Sequence, residues 1–162
     1  MDGIKAIIFD WARTLFDSDL KKEFPEAEAV LEHCKNKGYR LAVASLVSAH
    51  SNAPIQERNE QIAKSPLRKY FEIVKTVAST DTEGISDDKA VIFDQIVSGF
   101  GLNPSEILIV GDRTKRDIKY ANQHGHPSVW LQKGMFAHEM PDEKIGQPTH
   151  IVHSLDELLL IL

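Results

Sequence analysis

Short apolar runs alternate with amphipathic stretches along the whole chain. The runs at 4–9, 41–44 and 107–110 are almost uninterrupted, the pattern of strands buried on both faces of a helix-covered parallel sheet. Residues 71–77 and 127–131 are further strand candidates, and 149–152 a weaker one. Between them the apolar positions shift to helical spacing. Pro25 suits a first helical position, Ala27, Val30, Leu31 and Cys34 form a stripe, and Gly38 can end that helix. A second helix follows Ser86, with Asp87 and Asp88 in its first turn and Ile92, Phe93, Ile96, Val97 and Phe100 inward. A third is expected over 114–123, with Ile118 and Ala121 buried and Gly125 just beyond. Ser154 is a suitable N-cap for a last helix carrying Leu155, Leu158, Leu159 and Leu162. The polar stretch 48–65 reads as loop plus a short helix, and no repeat or low-complexity segment is visible. This alternation predicts an α/β fold, a Rossmann-like three-layer sandwich around a central, mainly parallel sheet.

Composition narrows the class. The 162 residues are one domain's worth of chain, at roughly 150 residues per domain, so 1–162 is expected to be a single core domain. With 42% hydrophobic and 27% charged residues it has the make-up of a soluble globular protein. No apolar run approaches the ~18 residues of a membrane span, and the start carries no signal-peptide pattern. The single cysteine, Cys34, excludes an intramolecular disulfide framework and fits a reducing, cytoplasmic setting. A formal charge of -5 argues against a nucleic-acid partner, whose phosphates demand concentrated Lys and Arg. A membrane partner is likewise not expected.

Chemistry is sought at the carboxyl ends of the strands, where open α/β sheets bind ligands. The first strand delivers Asp10-Trp11-Ala12-Arg13-Thr14, the second Ser45, and the strand at 107–110 delivers Gly111-Asp112 and, farther on, Asp117. Lys89 opens the helix before that third strand. Two carboxylates from neighbouring strand ends repel each other unless a cation lies between them, and hard-cation sites with few carboxylates are characteristic of magnesium.

These residues resemble the haloacid dehalogenase superfamily of hydrolases, most of whose members are phosphatases. Its first motif, an apolar strand ending in Asp-x-Asp-x-Thr, is similar to Ile7-Ile8-Phe9-Asp10-Trp11-Ala12-Arg13-Thr14. Its second, an apolar strand ending in Ser or Thr, is similar to Leu41-Ala42-Val43-Ala44-Ser45. Its third is a lysine, matched by Lys89 with Lys75 as the alternative, and its fourth, Gly-Asp-x-x-x-x-Asp, matches Gly111-Asp112 through Asp117. The pattern Val129-Trp130-Leu131, Gly134-x-Phe136-Ala137 and a closing helix is also similar to bacterial and archaeal members.

The resemblance implies a Mg²⁺-dependent phosphatase acting on a phosphomonoester of unknown identity. Asp10 would be the nucleophile that forms an aspartyl-phosphate. Asp10, the backbone carbonyl of Ala12 and Asp112 would bind Mg²⁺, and Asp117 would orient Asp112 or a metal-bound water. Ser45 and Lys89 would hold the phosphoryl oxygens, with Arg13 adding a cation beside them. Thr14 would shape the loop. One departure stands out: Ala12 occupies the position of the family's second aspartate, the general acid and base. Such proton transfer contributes ~10²–10⁴-fold, so poor leaving groups should suffer most. The phosphonate-cleaving members also carry alanine here, in a similar Asp-Trp-Ala context, but need a lysine from a cap domain. The dehalogenating members lack the second aspartate and also the metal, and retention of Asp112 favours the metal-dependent branch.

Ten residues, 15–24, separate the first motif from the helix at Pro25. A self-supporting cap needs ~40 residues or more, so only a short flap is expected there, leaving an open site for a bulky substrate or for completion by another subunit. Asp17, Asp19 and His50 are the candidate replacement proton donors. The seven histidines lack the i, i+4 spacing of a zinc motif and read as solvated loop and edge residues. Gly99-Phe100-Gly101 is a helix end, which rejects dinucleotide binding. Trp11 is a candidate pocket residue, Trp130 a core residue, and Cys34 a small buried hydrophobe. The alternative to an enzyme is a catalytically impaired phosphate-binding or interaction module of the same fold. A receiver-type signalling domain fits less well, because no later middle strand offers its phosphoacceptor aspartate.

Overall fold

The computed structural model describes residues 1–49, 54–80 and 87–162. Strands β1 (Ala6–Phe9), β4 (Arg40–Val47), β5 (Ile73–Ala78), β6 (Ile107–Gly111), β7 (Ser128–Leu131) and β8 (His150–Val152) form one sheet in the order β5-β4-β1-β6-β7-β8. Every neighbouring pair in it is parallel. Two short strands, β2 (Phe16–Asp17) and β3 (Lys22–Glu23), pair antiparallel as a separate hairpin over the carboxyl end of β1. The helices are α1 (Ala27–Asn36), α2 (Ile55–Lys64), α3 (Asp88–Phe100) and α4 (Lys119–His124).

Strand alternation sorts side chains into two layers of core. Ile7, Phe9, Leu41, Val43, Leu108 and Val110 face α1, α2 and the C-terminal turn, meeting Val30, Leu31, Ile62, Leu155 and Leu158. Ala6, Ile8, Ala42, Ala44, Ile107 and Ile109 face α3 and α4, meeting Ile92, Phe93, Ile96, Phe100, Tyr120 and Ala121. Both faces of the middle strands are therefore apolar, and the result is a Rossmann-like three-layer sandwich. Counting the sheet strands alone in chain order, their arrangement is the doubly wound one, which reverses direction between β1 and β6. A crevice opens at such a switch point, outside the strands' carboxyl ends. A receiver domain orders its strands differently, so that reading is set aside.

Several elements differ from the sequence expectation. Residues 114–123 were expected to be one helix, but the segment begins as a π-helical turn, Thr114–Ile118, before α4. That turn holds one residue more than an α-turn, and it carries Asp117 back toward Gly111. The C-terminal segment is a 3₁₀ helix, Leu155–Leu160, not an α-helix. Leucines three apart serve either winding, so their spacing could not separate the two. Ser154 makes no capping bond there and instead donates to Glu157. Strand β4 runs through Ser45 to Val47, because β5 continues to pair beside it at Thr76, Val77 and Ala78 after β1 has ended. Among the described residues no helix is long and apolar enough to cross a membrane.

Candidate active site

Asp10 leaves β1 with its backbone still tied to the sheet, its N–H donating to the Val110 carbonyl at 2.8 Å. The chain then turns sharply, the N–H groups of Leu15 and Phe16 both donating to the Trp11 carbonyl at 2.9 and 3.0 Å. Arg13 adopts a left-handed φ of 64° in this turn. An L side chain pays ~1–2 kcal/mol for that conformation. Thr14 reaches back from the turn and donates to Asp10 Oδ2 at 3.3 Å.

Lys89 lies in the first turn of α3, which packs against β4 and β5, and is only 4% exposed. Its Nζ donates to Asp10 Oδ1 and, at 2.6 Å, to Asp117 Oδ1. Burial works against its charge, but the Asp10 and Asp117 carboxylates outweigh that and hold the ammonium above its ordinary range. Asp117 is fully buried, and its Oδ2 accepts the Arg113 N–H at 3.2 Å. Burial pushes its carboxyl upward, with Lys89 opposing. Lys75, the alternative lysine, lies on β5 and does not line the cavity at the strand ends.

Asp112 follows β6. The indole N–H of Trp130 donates to its backbone carbonyl at 3.1 Å, which anchors the residue from the neighbouring strand. Its side-chain Oδ2 is buried without a hydrogen-bond partner. Burial, then the charges of Asp10 and Asp117, push this carboxyl up to about 8. A buried carboxylate with no donor and two like charges nearby is a group in need of a cation. Among the described residues no cluster of three or more His, Cys, Asp or Glu is arranged for a metal. Magnesium, however, binds through one or two carboxylates with water and substrate oxygens completing its shell. The Asp10–Asp112 pair, with one orphaned oxygen, fits that ion.

Ser45 alternates with Leu41 and Val43, so it faces α2 from within β4. Its hydroxyl accepts from Arg58 Nη1 at 2.7 Å. Arg58 lies on α2 and is not among the residues expected at the site, since no spacing rule links residues thirteen apart across a loop. A surface helix with one arginine among many polar residues gives no such signal. Burial lowers the pKa of its guanidinium, with Asp10 opposing.

At the strand ends lies a cavity of about 350 Å³ lined by Asp10, Ala12, Arg13, Lys89 and Asp112, together with Arg58, Arg113, Arg116, Met135 and Phe136; Ser45 and Asp117 do not line it but bond Arg58 and Lys89, which do. Arg13, expected beside the phosphate, lines it but pairs with Asp19 at 3.1 Å in the hairpin loop. Arg113 pairs with Glu139 at 2.9 Å and lies 3.8 Å over the Phe136 ring. Trp11, expected as a pocket residue, is instead fully buried in the core, and its indole donates to Gln61 at 2.8 Å. Trp130 and Cys34 are buried, as expected. His126 is not a solvated edge residue: it is 4% exposed and stacked on Tyr120.

Of the expected replacement proton donors, Asp17 accepts the Leu20 and Asp19 N–H groups, and the Leu20 bond holds its carboxyl below the usual range. That stabilises the anion, the wrong form for an acid. Asp19 is engaged by Arg13, and His50 lies outside the described residues.

A doubly wound sheet with carboxylates at its switch point, a buried lysine between two of them and a hydroxyl on the next strand makes a Rossmann-like α/β core with an acidic site. The HAD-hydrolase-like family model matches residues 87–158. The glyceraldehyde 3-phosphate phosphatase of Pyrococcus furiosus is 29% identical over 141 residues, covering 87% of this chain and 55% of that protein. The phosphoserine phosphatase of Thermus thermophilus is 27% identical over 137 residues, covering 85% of this chain and 50% of that protein. A solved HAD-hydrolase from Bacillus subtilis, itself bound to magnesium, superposes with a TM-score of 0.71 at 13% identity, covering 98% of each chain. Residues 87–158 thus match the HAD-hydrolase-like family model, and the chain as a whole shares the fold of that solved structure. It spans about half the length of these two curated relatives.

Proposed function

We propose that this chain is a Mg²⁺-dependent phosphatase that cleaves phosphomonoesters through an aspartyl-phosphate at Asp10. The observation that carries this reading is Asp112, whose buried carboxylate oxygen lacks a partner beside Asp10 at the switch point. Relatives named as phosphatases support the reaction class.

Asp10, Asp112 and the Ala12 carbonyl would hold Mg²⁺, which supplies charge neutralisation for the phosphoryl group when bound. The chain's own residues do the rest. An Asp10 carboxylate oxygen attacks phosphorus, the new O–P bond forming as the P–O bond to the leaving alcohol breaks. Thr14 and Lys89 fix the rotation of that carboxylate, since each bonds a different oxygen. Asp117 acts through Lys89, holding the ammonium where phosphoryl oxygens would lie. Ser45 and Arg58 approach from the opposite face of the sheet, so donors clasp the transferring group from two sides. Hydrolysis of the aspartyl-phosphate then releases phosphate and restores Asp10.

With alanine at position 12, no side chain there can protonate the leaving alkoxide. Leaving groups that depart as stable anions are therefore the competent ones. The hairpin of β2 and β3 stands as a short flap in place of a cap, which leaves the cavity open to solvent.

The reading is tested by comparing para-nitrophenyl phosphate with an alkyl phosphate, with and without Mg²⁺, in the natural chain and in Ala12→Asp. Magnesium-dependent cleavage of the activated ester, with alkyl turnover raised by the substitution, is expected. Binding of phosphate without turnover of any ester would instead favour a non-catalytic module.

A further inference from the structure

Among the described residues, five cationic side chains line the cavity: Arg13, Arg58, Lys89, Arg113 and Arg116. Three of them are neutralised within the protein, Arg13 by Asp19, Lys89 by Asp10 and Asp117, and Arg113 by Glu139. Arg58 donates to the Ser45 hydroxyl, beside the expected phosphoryl position. Arg116 differs from all of these. Among the described residues its side chain has no hydrogen bond or ion pair, and its Nε is buried without an acceptor.

Among the described residues, three neighbouring acids are committed elsewhere. Asp117, adjacent in sequence, turns to Lys89 and the Arg113 N–H. Glu139 serves Arg113, Thr114 and the Lys115 N–H. Asp87, which shares a smaller cavity with Arg116 behind Lys89, is taken by Lys119 at 3.1 Å. A buried donor left unsatisfied is costly, and more so when charged. A guanidinium held this way on a pinned π-turn, facing the reaction cavity, is prepared for an anion that the described residues do not supply.

We infer that Arg116 is a specificity-determining residue, and that the substrate is a phosphomonoester bearing a second anionic group, which Arg116 grips. This rests on the phosphatase reading above. The phosphoryl group is already provided for by Ser45, Arg58 and Lys89, so Arg116 is surplus to a simple monoester. A carboxylate or a second phosphate would present paired oxygens to the planar fork of a guanidinium.

The test uses aryl esters, whose leaving groups do not require an acid at position 12. Meta and para isomers of carboxyphenyl phosphate are compared with their neutral carbamoylphenyl counterparts, alongside the phenylene bisphosphates. The natural chain should favour at least one anionic ester by about tenfold or more in kcat/KM, since charge-assisted bonds are the strong ones. Which set is favoured separates a carboxylate from a second phosphate. Arg116→Gln should erase that preference, chiefly through KM, while para-nitrophenyl phosphate turnover stays within about twofold. Arg116→Lys, which keeps the charge without the fork, should retain part of it. Equal rates for all charged and neutral esters, or an equal loss on every substrate in Arg116→Gln, would overturn the inference. Absence of hydrolysis of every ester, para-nitrophenyl phosphate included, would overturn the phosphatase reading itself.

Discussion

A Cβ built on Gly111 would lie 2.1 Å from Asp117 Oδ2, closer than any real contact allows. The glycine at the end of β6 is thus required by the close approach of a carboxylate, and its φ is not in the left-handed region. Asp117 in turn bonds Lys89, and Lys89 bonds Asp10, so a missing methyl group positions the nucleophile through two side chains. Gly111→Ala should push Asp117 away, cost about 1–3 kcal/mol as overpacking does, and lower kcat well over tenfold with KM little changed. Urea denaturation and steady-state kinetics check the two halves of that expectation.

Asp112 carries the reverse signature. Its folded carboxyl is pushed up to about 8, so the metal-free protein loses stability as pH rises from about 4 through 8, where the folded state must ionise the group. Asp112→Asn removes that penalty. The variant should be more stable than the natural chain at pH 8 without metal, by at least about 1 kcal/mol. It should also lose both its thermal response to Mg²⁺ and its turnover. Thermal melts with and without magnesium at that pH measure both.

Arg58 is expected to matter as much as the lysine. Arg58→Ala should lower kcat/KM for any phosphate ester by about 10²-fold, the usual scale for removing one transition-state donor. Arg58→Lys should recover little of this, because a single ammonium cannot both reach the Ser45 hydroxyl and reproduce a planar fork. Kinetics on para-nitrophenyl phosphate distinguish this from the behaviour expected of Arg116 variants, which spare that substrate.

The acid limit of stability is set partly by His126. Its Nδ1 donates to the Pro104 and Ile107 carbonyls, and its Nε2 is buried without a partner. Protonating Nε2 would bury an unsatisfied charge, and burial accordingly lowers its pKa below 6.5. The unfolded chain then binds the proton more readily, so stability is full above about pH 6.5 and falls as pH drops toward the folded value. Urea midpoints from pH 7.5 down to 5 should decline, and His126→Gln should flatten that decline.

How far the sequence carried depended on whether a residue's role was local. The runs at 4–9, 41–44 and 107–110 announced a doubly covered sheet because burial on both faces leaves no polar alternation, and β1, β4 and β6 lie there. Asp10, Lys89, Asp112 and Asp117 were legible through motif order and do converge. The contact of Ser45 with Arg58 was not, since it depends on how α2 returns over the sheet after a segment without periodic signal. The π-turn was hidden for a related reason: its extra residue is forced by the Asp117–Gly111 approach, a tertiary contact that helical spacing does not encode. Trp11 and His126 were misplaced because an aromatic or histidine beside a polar motif reads the same whether its ring points to solvent or core.

The central claim concerns Asp10, and its most direct test is covalent. The natural chain, mixed with para-nitrophenyl phosphate and Mg²⁺ and quenched in acid during turnover, should yield a phosphorylated peptide by mass spectrometry, with the phosphate on Asp10. Asp10→Asn should give neither that peptide nor steady-state turnover. Undiminished turnover in Asp10→Asn, or a phosphate carried on another residue, would contradict the assignment of Asp10 as the nucleophile.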